Sequence, residues 1–273
     1  MPEGITIETC TLCNSKCIIC PNGYNSRSSY FMPIPEFKRI LKFFPHLKGV
    51  ALCGMYEPLA DSRLDEILTA VSYTQPQVEV TIFTNGSLLN ERNREILLSH
   101  ANIKNIIVSI HGYTAETYER IMVGLKRDTV YENVHSLAKE RFEYQNLLSD
   151  KVEPRISVSF VRIKQNIHEL AAFRQFWKDK VDVISDFEVM NWRGQVPAEE
   201  LLYEQPMHTR ACPMFEQPLV IDAYGNVVRC CYDFTFNYGH VLHGGLEKWQ
   251  NKKWESETYP TSECKTCLGW HYY

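Results

Sequence analysis

Short apolar runs alternate with amphipathic stretches from the amino terminus to about residue 190 of the 273-residue chain. The apolar runs are typical of buried parallel strands, and the stretches between them repeat apolar residues every three or four positions, as helices do. Six strands are predicted in this way, at residues 5–7, 49–53, 78–83, 105–110, 155–161 and 186–190. Helices are predicted at residues 35–44, 61–73, 88–99, 114–122, 131–148 and 167–178.

This alternation predicts an α/β fold whose parallel strands are joined by right-handed crossovers. Six repeats are expected to form a partial (βα)6 TIM-like barrel, a truncated relative of the eight-stranded barrel. In such barrels the chemistry lies at the carboxyl ends of the strands. The loops that follow the predicted strands are therefore the first places to look for functional residues.

The pattern changes after Pro197, where short strands and tight turns replace the alternation. Residues 220–230 read as two strands around Tyr224-Gly225-Asn226, which is typical of a β-hairpin. The sequence therefore predicts two domains. Residues 1–197 form the barrel, and residues 198–273 form a small domain that contains the hairpin.

Composition excludes several classes of function. The net charge is −4, without the basic bias of a nucleic-acid-binding protein, and no apolar run is long enough to span a membrane. Residues 1–4 lead directly into the first strand, so no secretory signal and a cytoplasmic location are expected. In a chain that is not exported, ten cysteines favour metal ligation or redox chemistry over structural disulfides.

Three of those cysteines, Cys13, Cys17 and Cys20, lie on the loop that leaves the first strand. Their thiolates suit three corners of a cubic iron–sulfur cluster, because soft sulfur ligands favour iron–sulfur chemistry. A fourth iron would then lack a protein ligand and remain open to substrate or cofactor. Structural zinc, which usually takes four ligands in two pairs, and chance clustering are the alternatives.

Five more cysteines lie in the carboxyl-terminal part of the chain. A loop, the hairpin and a closing Cys-x-x-Cys pair supply four thiolates, enough for full ligation of a second 4Fe–4S cluster. A four-cysteine zinc site has the same ligand count and stays open on spacing alone. Cys230 fits the hairpin position better than its neighbour Cys231. The four candidate ligands are Cys212, Cys230, Cys264 and Cys267.

The first cysteine loop, with Ile19 before its last cysteine, resembles the signature of the radical S-adenosylmethionine (SAM) enzymes. The resemblance implies that the open iron of a 4Fe–4S cluster binds the amino and carboxylate groups of SAM. One electron then splits SAM to methionine and a 5′-deoxyadenosyl radical, which abstracts a hydrogen atom from substrate. It also implies an external electron donor such as flavodoxin or ferredoxin.

The second strand ends in Gly54-Met55-Tyr56-Glu57-Pro58, which resembles the Gly-Gly-Glu-Pro motif of that family. By resemblance, backbone carbonyls and Glu57 hold the amino group of SAM. Met55 and Tyr56 replace the two glycines, so that side chains face the pocket and Tyr56 can contact substrate instead. An ordinary strand-to-helix turn opened by Pro58 is the alternative.

The next two strands end in residues that the family also uses. Thr84 and Asn85 begin a turn familiar from the family, although any tight turn can carry this sequence. By resemblance, Ser109 bonds SAM near its carboxylate or ribose. His111 either lines the pocket or is a hydrogen-bonded histidine at a strand end without a chemical role.

The arginine that often grips the SAM carboxylate in this family has no direct counterpart. Met122 stands at its place, so the grip is assigned to Arg120 or Arg162, or is absent.

The carboxyl-terminal cysteines resemble the twitch domain of radical SAM enzymes, a shortened SPASM domain with one auxiliary 4Fe–4S cluster. The architecture is similar to that of the radical SAM dehydrogenases of aminoglycoside biosynthesis that oxidise 2-deoxy-scyllo-inosamine. By that resemblance, Arg193 orients a substrate hydroxyl, and the auxiliary cluster takes the electron as an alcohol of a carbohydrate-like or aminocyclitol-like molecule is oxidised. A solvated loop charge is the alternative for Arg193.

Other activities remain open at this stage. Radical SAM epimerases of sugars or peptides quench the substrate radical with a thiol, and Cys10, Cys53 and Cys231 are left over for that role, although each can simply be a small buried apolar residue. Peptide-modifying enzymes share the two-domain plan. A polar barrel mouth with Tyr56, His111 and Arg193 suits a small molecule or a peptide. A zinc-ribbon binding module would leave the barrel motifs unexplained.

Overall fold

The computed structural model describes residues 1–25, 27–148, 154–203 and 219–254. The strands are β1 (Gly4–Ile7), β2 (Gly49–Leu52), β3 (Glu79–Thr84), β4 (Ile103–Ser109), β5 (Arg155–Arg162), β6 (Val183–Glu188), β7 (Leu219–Ile221), β8 (Asn226–Cys230) and β9 (Asp233–His240). The helices are α1 (Ile34–Phe43), α2 (Leu64–Thr74), α3 (Glu91–Ser99), α4 (Ala115–Ile121), α5 (Arg127–Leu148), α6 (Leu170–Trp177), α7 (Ala198–Leu201) and α8 (Gly245–Trp254). Among the described residues, no helix is both long and apolar enough to cross a membrane.

Strands β1 to β6 lie side by side in chain order, and every pair among them is parallel. Helices occupy the connections, so the predicted α/β partial barrel is confirmed. Because the strands are parallel, all six carboxyl ends meet at one edge of the sheet. The loop with the first three cysteines leaves β1 at that edge.

The core follows directly from the apolar periodicity. The central strands present Val, Ile and Leu to the interior, and each helix buries one stripe spaced by three or four residues. Helix α1 buries Phe37, Ile40 and Leu41, while α6 buries Phe173 and Trp177. This packing fixes the positions of the strand ends and therefore of the loops that follow them.

Strand β6 begins three residues earlier than predicted, and it carries charged residues within the sheet. Asp186 and Glu188 alternate along β6, and Arg162 at the end of β5 forms ion pairs with both. The ion pairs satisfy the carboxylates at partly buried positions. Because charged residues interrupt the apolar pattern of β6, that pattern did not locate the start of the strand.

The predicted hairpin is confirmed and extends the barrel sheet. Strand β7 runs parallel to β1, and β8 returns antiparallel after a turn at Asp222–Gly225. Gly225 has a φ of +78°, and a Cβ there would meet His240 Nε2 at 2.4 Å, so the turn requires glycine. Strand β9 and helix α8 were not predicted. The hairpin lies beside β1, next to the strand that leads into the cysteine loop.

Candidate iron–sulfur and cofactor site

The cysteine loop begins immediately after β1, and its three thiols are half-buried. The Cys17 sulfur lies 3.0 Å from Ser15 Oγ and 3.4 Å from the sulfur of Met122. The Cys20 amide donates to the Cys17 carbonyl at 3.2 Å, which turns the chain tightly between the last two cysteines. The Cys17 sulfur is thus in contact with one hydroxyl and one thioether of the protein.

The three thiols interact electrostatically. The pKa of Cys20 is raised to about 11, mainly by burial and in smaller part by a charge on Cys13, while the Asn22 amide and Arg27 act to lower it. Burial also raises the pKa of Cys17, as do charges on Cys20 and Cys13. Three thiolates so close together repel one another in a partly buried loop, and bound iron supplies the compensating positive charge. The donor set therefore fits an iron–sulfur cluster.

A single metal ion, unlike a cluster, requires several side chains to converge on one point. Within the described ranges, no three His, Cys, Asp or Glu side chains converge as ligands of one ion would. In an iron–sulfur cluster the protein contributes cysteine thiolates to several irons rather than to one.

Three neighbouring segments hold the loop in place. The amides of Lys16 and Ile18 donate to the carbonyls of Val123 and Ile121 at the end of α4, at 2.9 and 3.0 Å. The side chain of Asn85, after β3, donates to that of Asn14 at 2.9 Å. Trp192, after β6, donates its indole N–H to the Ile19 carbonyl at 3.1 Å. The barrel mouth therefore holds the loop in place in addition to the loop's own hydrogen bonds.

Glu57 is a buried carboxylate that ties β2 to β3. It accepts from Thr84 Oγ1 at 2.6 Å, from the Asn85 amide at 2.7 Å and from the Leu59 amide at 3.1 Å. Burial raises its pKa to about 7, although these hydrogen bonds lower it. Both carboxylate oxygens are thus engaged with the turns at the strand ends. Thr84 and Asn85 serve the same network.

Met55 and Tyr56 are both buried after β2. The Met55 backbone contacts Glu8 and Arg27, which the sequence reading had not singled out. The Tyr56 hydroxyl donates to the Ile7 carbonyl at 3.3 Å, so it is directed to β1.

The two candidate residues at the end of β4, Ser109 and His111, differ in burial. Ser109 is half-buried at the last position of the strand. His111 is buried, and its Nδ1 accepts from the Val161 amide at 3.1 Å. Burial lowers the pKa of His111 to about 3, so the imidazole is neutral at physiological pH. His111 is thus a buried, hydrogen-bonded histidine at a strand end, and its part in lining a pocket stays a prediction.

Carboxylates of the chain already engage both arginines considered for the SAM carboxylate. Arg120 is half-exposed on α4 and pairs with Glu116 one turn earlier. Arg162 pairs with Asp186 and Glu188 at the end of β5. Either grip would require these ion pairs to rearrange.

Arg193 lies in a left-handed turn after β6, with a φ of +55°. It is largely buried, forms an ion pair with the fully buried Asp233 of β9, and donates to Thr235 Oγ1 at 3.1 Å. It is therefore not a solvated loop charge. The preceding residue, Trp192, packs edge-on against Tyr232 with ring centroids 5.2 Å apart. This turn joins the cysteine loop to the carboxyl-terminal strands.

Among the remaining cysteines, Cys230 ends β8 and is paired in register with Asp233. Cys231 follows it, and both are half-buried. Cys53 is half-buried after β2, and burial raises its pKa to about 12, whereas Cys10 is fully buried. Cys212, Cys264 and Cys267 lie outside the described residues.

Several site residues escaped the sequence reading. Glu8, Asn14, Arg27, Trp192 and Asp233 are polar or aromatic residues in segments read as strand ends or loops. Only their partners, which are distant in sequence, distinguish them. The one local signal was an acidic residue, Glu8, immediately after the first apolar strand segment.

Comparisons with known proteins agree with this geometry. A GTP 3′,8-cyclase of Vibrio parahaemolyticus is 25% identical over 193 residues, which cover 68% of this chain and 54% of that protein. The chain thus spans about half the length of such curated relatives.

Solved structures show the same fold. SuiB of Streptococcus suis, bound to the precursor peptide SuiA, superposes with a TM-score of 0.75 at 15% identity, over 100% of this chain and 71% of SuiB. BtrN in complex with AdoMet and 2-DOIA gives a TM-score of 0.63 at 18% identity, over 98% of this chain and 93% of BtrN. The model of the Radical SAM superfamily matches residues 7–149, from the first strand to the end of α5. This chain therefore belongs to the radical SAM superfamily, which implies SAM and a 4Fe–4S cluster as cofactors.

Proposed function

We propose that this protein is a radical SAM dehydrogenase that oxidises an alcohol of a carbohydrate-like or aminocyclitol-like molecule. Cys13, Cys17 and Cys20 would hold the SAM-binding cluster. Cys212, Cys230, Cys264 and Cys267 would hold an auxiliary 4Fe–4S cluster within a twitch-type domain spanning residues 198–273. An external flavodoxin or ferredoxin would supply the electron that starts each turnover. The domain boundary at residue 197 belongs to the same proposal.

One observation carries the proposal: the ion pair between Arg193 and Asp233 at the carboxyl end of β6. Trp192 links this turn to the cysteine loop, and Cys230 lies opposite Asp233 in the β8–β9 register. A carboxylate and a candidate cluster ligand are therefore neighbours. That is a suitable arrangement for a reaction that must dispose of a proton and an electron together.

The residues divide the work as follows. Cys13, Cys17 and Cys20 would hold a cluster that, with bound SAM, would supply hydrogen-atom abstraction at the carbinol carbon, and the carboxyl-terminal cysteines would hold an acceptor for one electron. Arg193 orients the hydroxyl, since a guanidinium stays charged and is a poor base. Asp233 takes the hydroxyl proton as the carbonyl forms. The loss of one hydrogen atom, one proton and one electron converts the alcohol to a ketone.

The chemistry of the substrate is inferred from polar groups and from one neighbour. A buried guanidinium–carboxylate pair recognises a hydroxyl better than an apolar side chain. The neighbour BtrN, similar in length, was solved with 2-DOIA. Both favour a small hydroxylated ligand.

The test uses reconstituted protein, SAM, a chemical reductant and a panel of cyclitols and aminocyclitols deuterated at the carbinol carbons. We expect one deuterium in 5′-deoxyadenosine for each ketone formed. Asp233→Asn should slow ketone formation by about a hundredfold, the usual contribution of a general base. Thr235→Val, which alters a contact of the same pair but removes no base, should stay within about threefold.

The proposal fails if no member of the panel transfers deuterium to 5′-deoxyadenosine. It also fails if Asp233→Asn and Thr235→Val slow the reaction equally, because the carboxylate then contributes no more than packing.

Epimerisation is the second candidate, and Cys53 favours it. The thiol follows β2, adjacent to the Gly54–Met55 turn, and its pKa of about 12 keeps it protonated at neutral pH. A protonated thiol is the form that donates a hydrogen atom. In heavy water an epimerase would place solvent deuterium on the substrate carbon without ketone, and Cys53→Ala would abolish that label. Cys231 is the other possible donor.

A further inference from the structure

Glu8 and Arg27 form a buried ion pair beside the cysteine loop. Glu8 directly follows β1 and is fully buried, while the Arg27 side chain is 20% exposed. The guanidinium binds the carboxylate with two hydrogen bonds, Nη1 to Oε2 at 2.7 Å and Nη2 to Oε1 at 2.9 Å. Such bidentate pairs have a fixed mutual orientation, so each residue holds the other in place.

This pair binds both polar groups of one peptide residue. The Met55 amide donates to Glu8 Oε1 at 2.7 Å, and the Met55 carbonyl accepts from Arg27 Nη2 at 2.7 Å. A trans peptide is planar, and its N–H and C=O point in opposite directions. An amide directed at Glu8 therefore turns the Gly54 carbonyl away from the pair. Glu8 and Arg27 together determine the planes of the peptides on either side of Met55.

Gly54 permits this close approach. A Cβ at Gly54 would lie 2.4 Å from Glu8 Oε1 and 2.5 Å from Glu8 Cγ, which no real Cβ tolerates. The Glu8 carboxylate therefore fits against the turn only because residue 54 lacks a side chain. The Glu8–Arg27 pair and the Gly54–Met55 turn are therefore sterically complementary.

Arg27 also contacts the carboxyl-terminal strands. Its guanidinium lies 5.9 Å from the centroid of the Phe234 ring on β9, within the range of a cation–π contact. It follows the cysteine loop in sequence, so three parts of the site meet at this side chain: the loop, the Gly54–Met55 turn and β9. None of these contacts is needed to build the parallel sheet.

We propose that Glu8 and Arg27 are positioning residues for SAM, which act by fixing the orientation of the Gly54 carbonyl that receives its amino group. The inference rests on the proposed function, because the resemblance alone assigns the amino group to this turn. The pair contributes orientation and not charge, since Glu8 and Arg27 neutralise each other.

A matched control lies nearby in the pair between Asp61 and Arg63. Asp61 is fully buried, and the Arg63 side chain is 25% exposed. Arg63 also donates to backbone carbonyls, of Met32 at 2.8 Å and Thr9 at 3.3 Å. It resembles Arg27 in burial, bidentate pairing and backbone bonding, but the backbone carbonyls of Met32 and Thr9 that it binds lie outside the Gly54–Met55 turn.

The experiment compares Arg27→Lys with Arg63→Lys in reconstituted protein. Lysine keeps the charge but loses the planar fork that serves a carboxylate and a carbonyl at once. SAM is titrated into the reduced protein, and the dissociation constant is read from the SAM-induced change in the EPR signal of the cluster. We expect Arg27→Lys to bind SAM about tenfold more weakly and Arg63→Lys to stay within about twofold.

A double variant separates positioning from stability. Glu8→Gln with Arg27→Met removes both charges, so the iron-free protein should recover most of the stability that Arg27→Met alone loses. SAM should still bind about tenfold more weakly than to the wild type, because the donor to the Met55 carbonyl is still missing. Recovery of affinity together with stability would overturn the inference.

Two other results are decisive. Unchanged affinity in Arg27→Lys, with a wild-type protein that responds to SAM, overturns the positioning role alone. A wild-type EPR signal that does not respond to SAM overturns the proposed function, and the inference falls with it.

Discussion

At the scale of single residues, Glu57 shows how burial and hydrogen bonding compete. Its carboxylate accepts three hydrogen bonds that favour the charged form, yet burial prevails and raises the pKa to about 7. The folded protein therefore retains a proton that the unfolded chain releases near its ordinary pKa of 4.5. Stability linked to Glu57 is greatest at low pH and is lost as the pH rises through this window.

We predict that the free energy of unfolding of the iron-free wild type falls by about 3 kcal/mol relative to Glu57→Gln between about pH 4 and pH 8. The glutamine cannot ionise, so this slope is absent from the variant. Urea denaturation at a series of pH values measures the difference. Parallel curves for the two proteins would show that Glu57 does not titrate in this range.

Glu169 provides the control, because its pKa is shifted the other way. Burial raises the pKa of Glu169, but hydrogen bonds from Thr114, Thr117 and the Tyr113 amide outweigh it and bring the pKa below its usual value. It is ionised in both states above about pH 6. Glu169→Gln should therefore shift the stability curve by a constant amount between about pH 6 and pH 8.

At the scale of elements, the cysteine loop depends on its neighbours. Trp192 and Tyr24 donate to successive carbonyls of the loop, Ile19 at 3.1 Å and Ile18 at 2.8 Å. The indole bond is partly buried and the phenol bond is exposed. Water can replace a donor at an exposed carbonyl but not at a buried one, so the indole bond should stabilise the loop more than the phenol bond.

Trp192→Phe is therefore expected to release cluster iron to a chelator about fivefold faster than wild type, equivalent to one partly buried hydrogen bond of about 1 kcal/mol. Tyr24→Phe should stay within about twofold, because water takes the place of the lost hydroxyl. The rate of iron transfer to a coloured chelator in oxygen-free buffer measures both. Equal rates in the two variants would contradict the importance assigned to the turn after β6.

At the scale of the whole molecule, the nine strands found in the described residues form one sheet. Strand β7 pairs with β1, so the hairpin with Cys230 is added to the strand from which the first cysteine loop leaves. Cys230 and the first cysteine loop are far apart in the chain, yet the hairpin that ends in Cys230 pairs with the strand that leads into that loop.

We predict about eight irons per chain after anaerobic reconstitution, four for each cluster. Cys13→Ala should retain about four irons and form no 5′-deoxyadenosine, because the SAM-binding cluster is lost. Cys212→Ala should also retain about four irons but still cleave SAM, without forming ketone. Iron analysis and chromatography of the nucleoside products provide the measurement.

Cys10→Ala is the matched control for these variants. Cys10 is fully buried and lies outside both ligand sets, so about eight irons and full SAM cleavage are expected to remain. Stoichiometric zinc in the wild type, or only four irons, would contradict the two-cluster proposal.

The amino-acid sequence by itself determined the α/β alternation, the order of the parallel strands and the cysteine loop after the first strand. Each of these depends on local periodicity or on short spacing, which a single segment carries. The start of strand β6 escaped, although the strand itself was predicted, because its partly buried charges are paired across the sheet by Arg162. Strand β9 and helix α8 escaped because the reading stopped at the hairpin and the cysteines.

Only the tertiary structure decided which polar residues meet. Glu8 pairs with Arg27 and holds Met55, Asn85 bonds Asn14, and Arg193 pairs with Asp233. It also directed the Tyr56 hydroxyl to β1 and enclosed His111. The physical reason is that a buried charge or hydrogen-bond donor must find its partner in space, and that partner comes from another strand end.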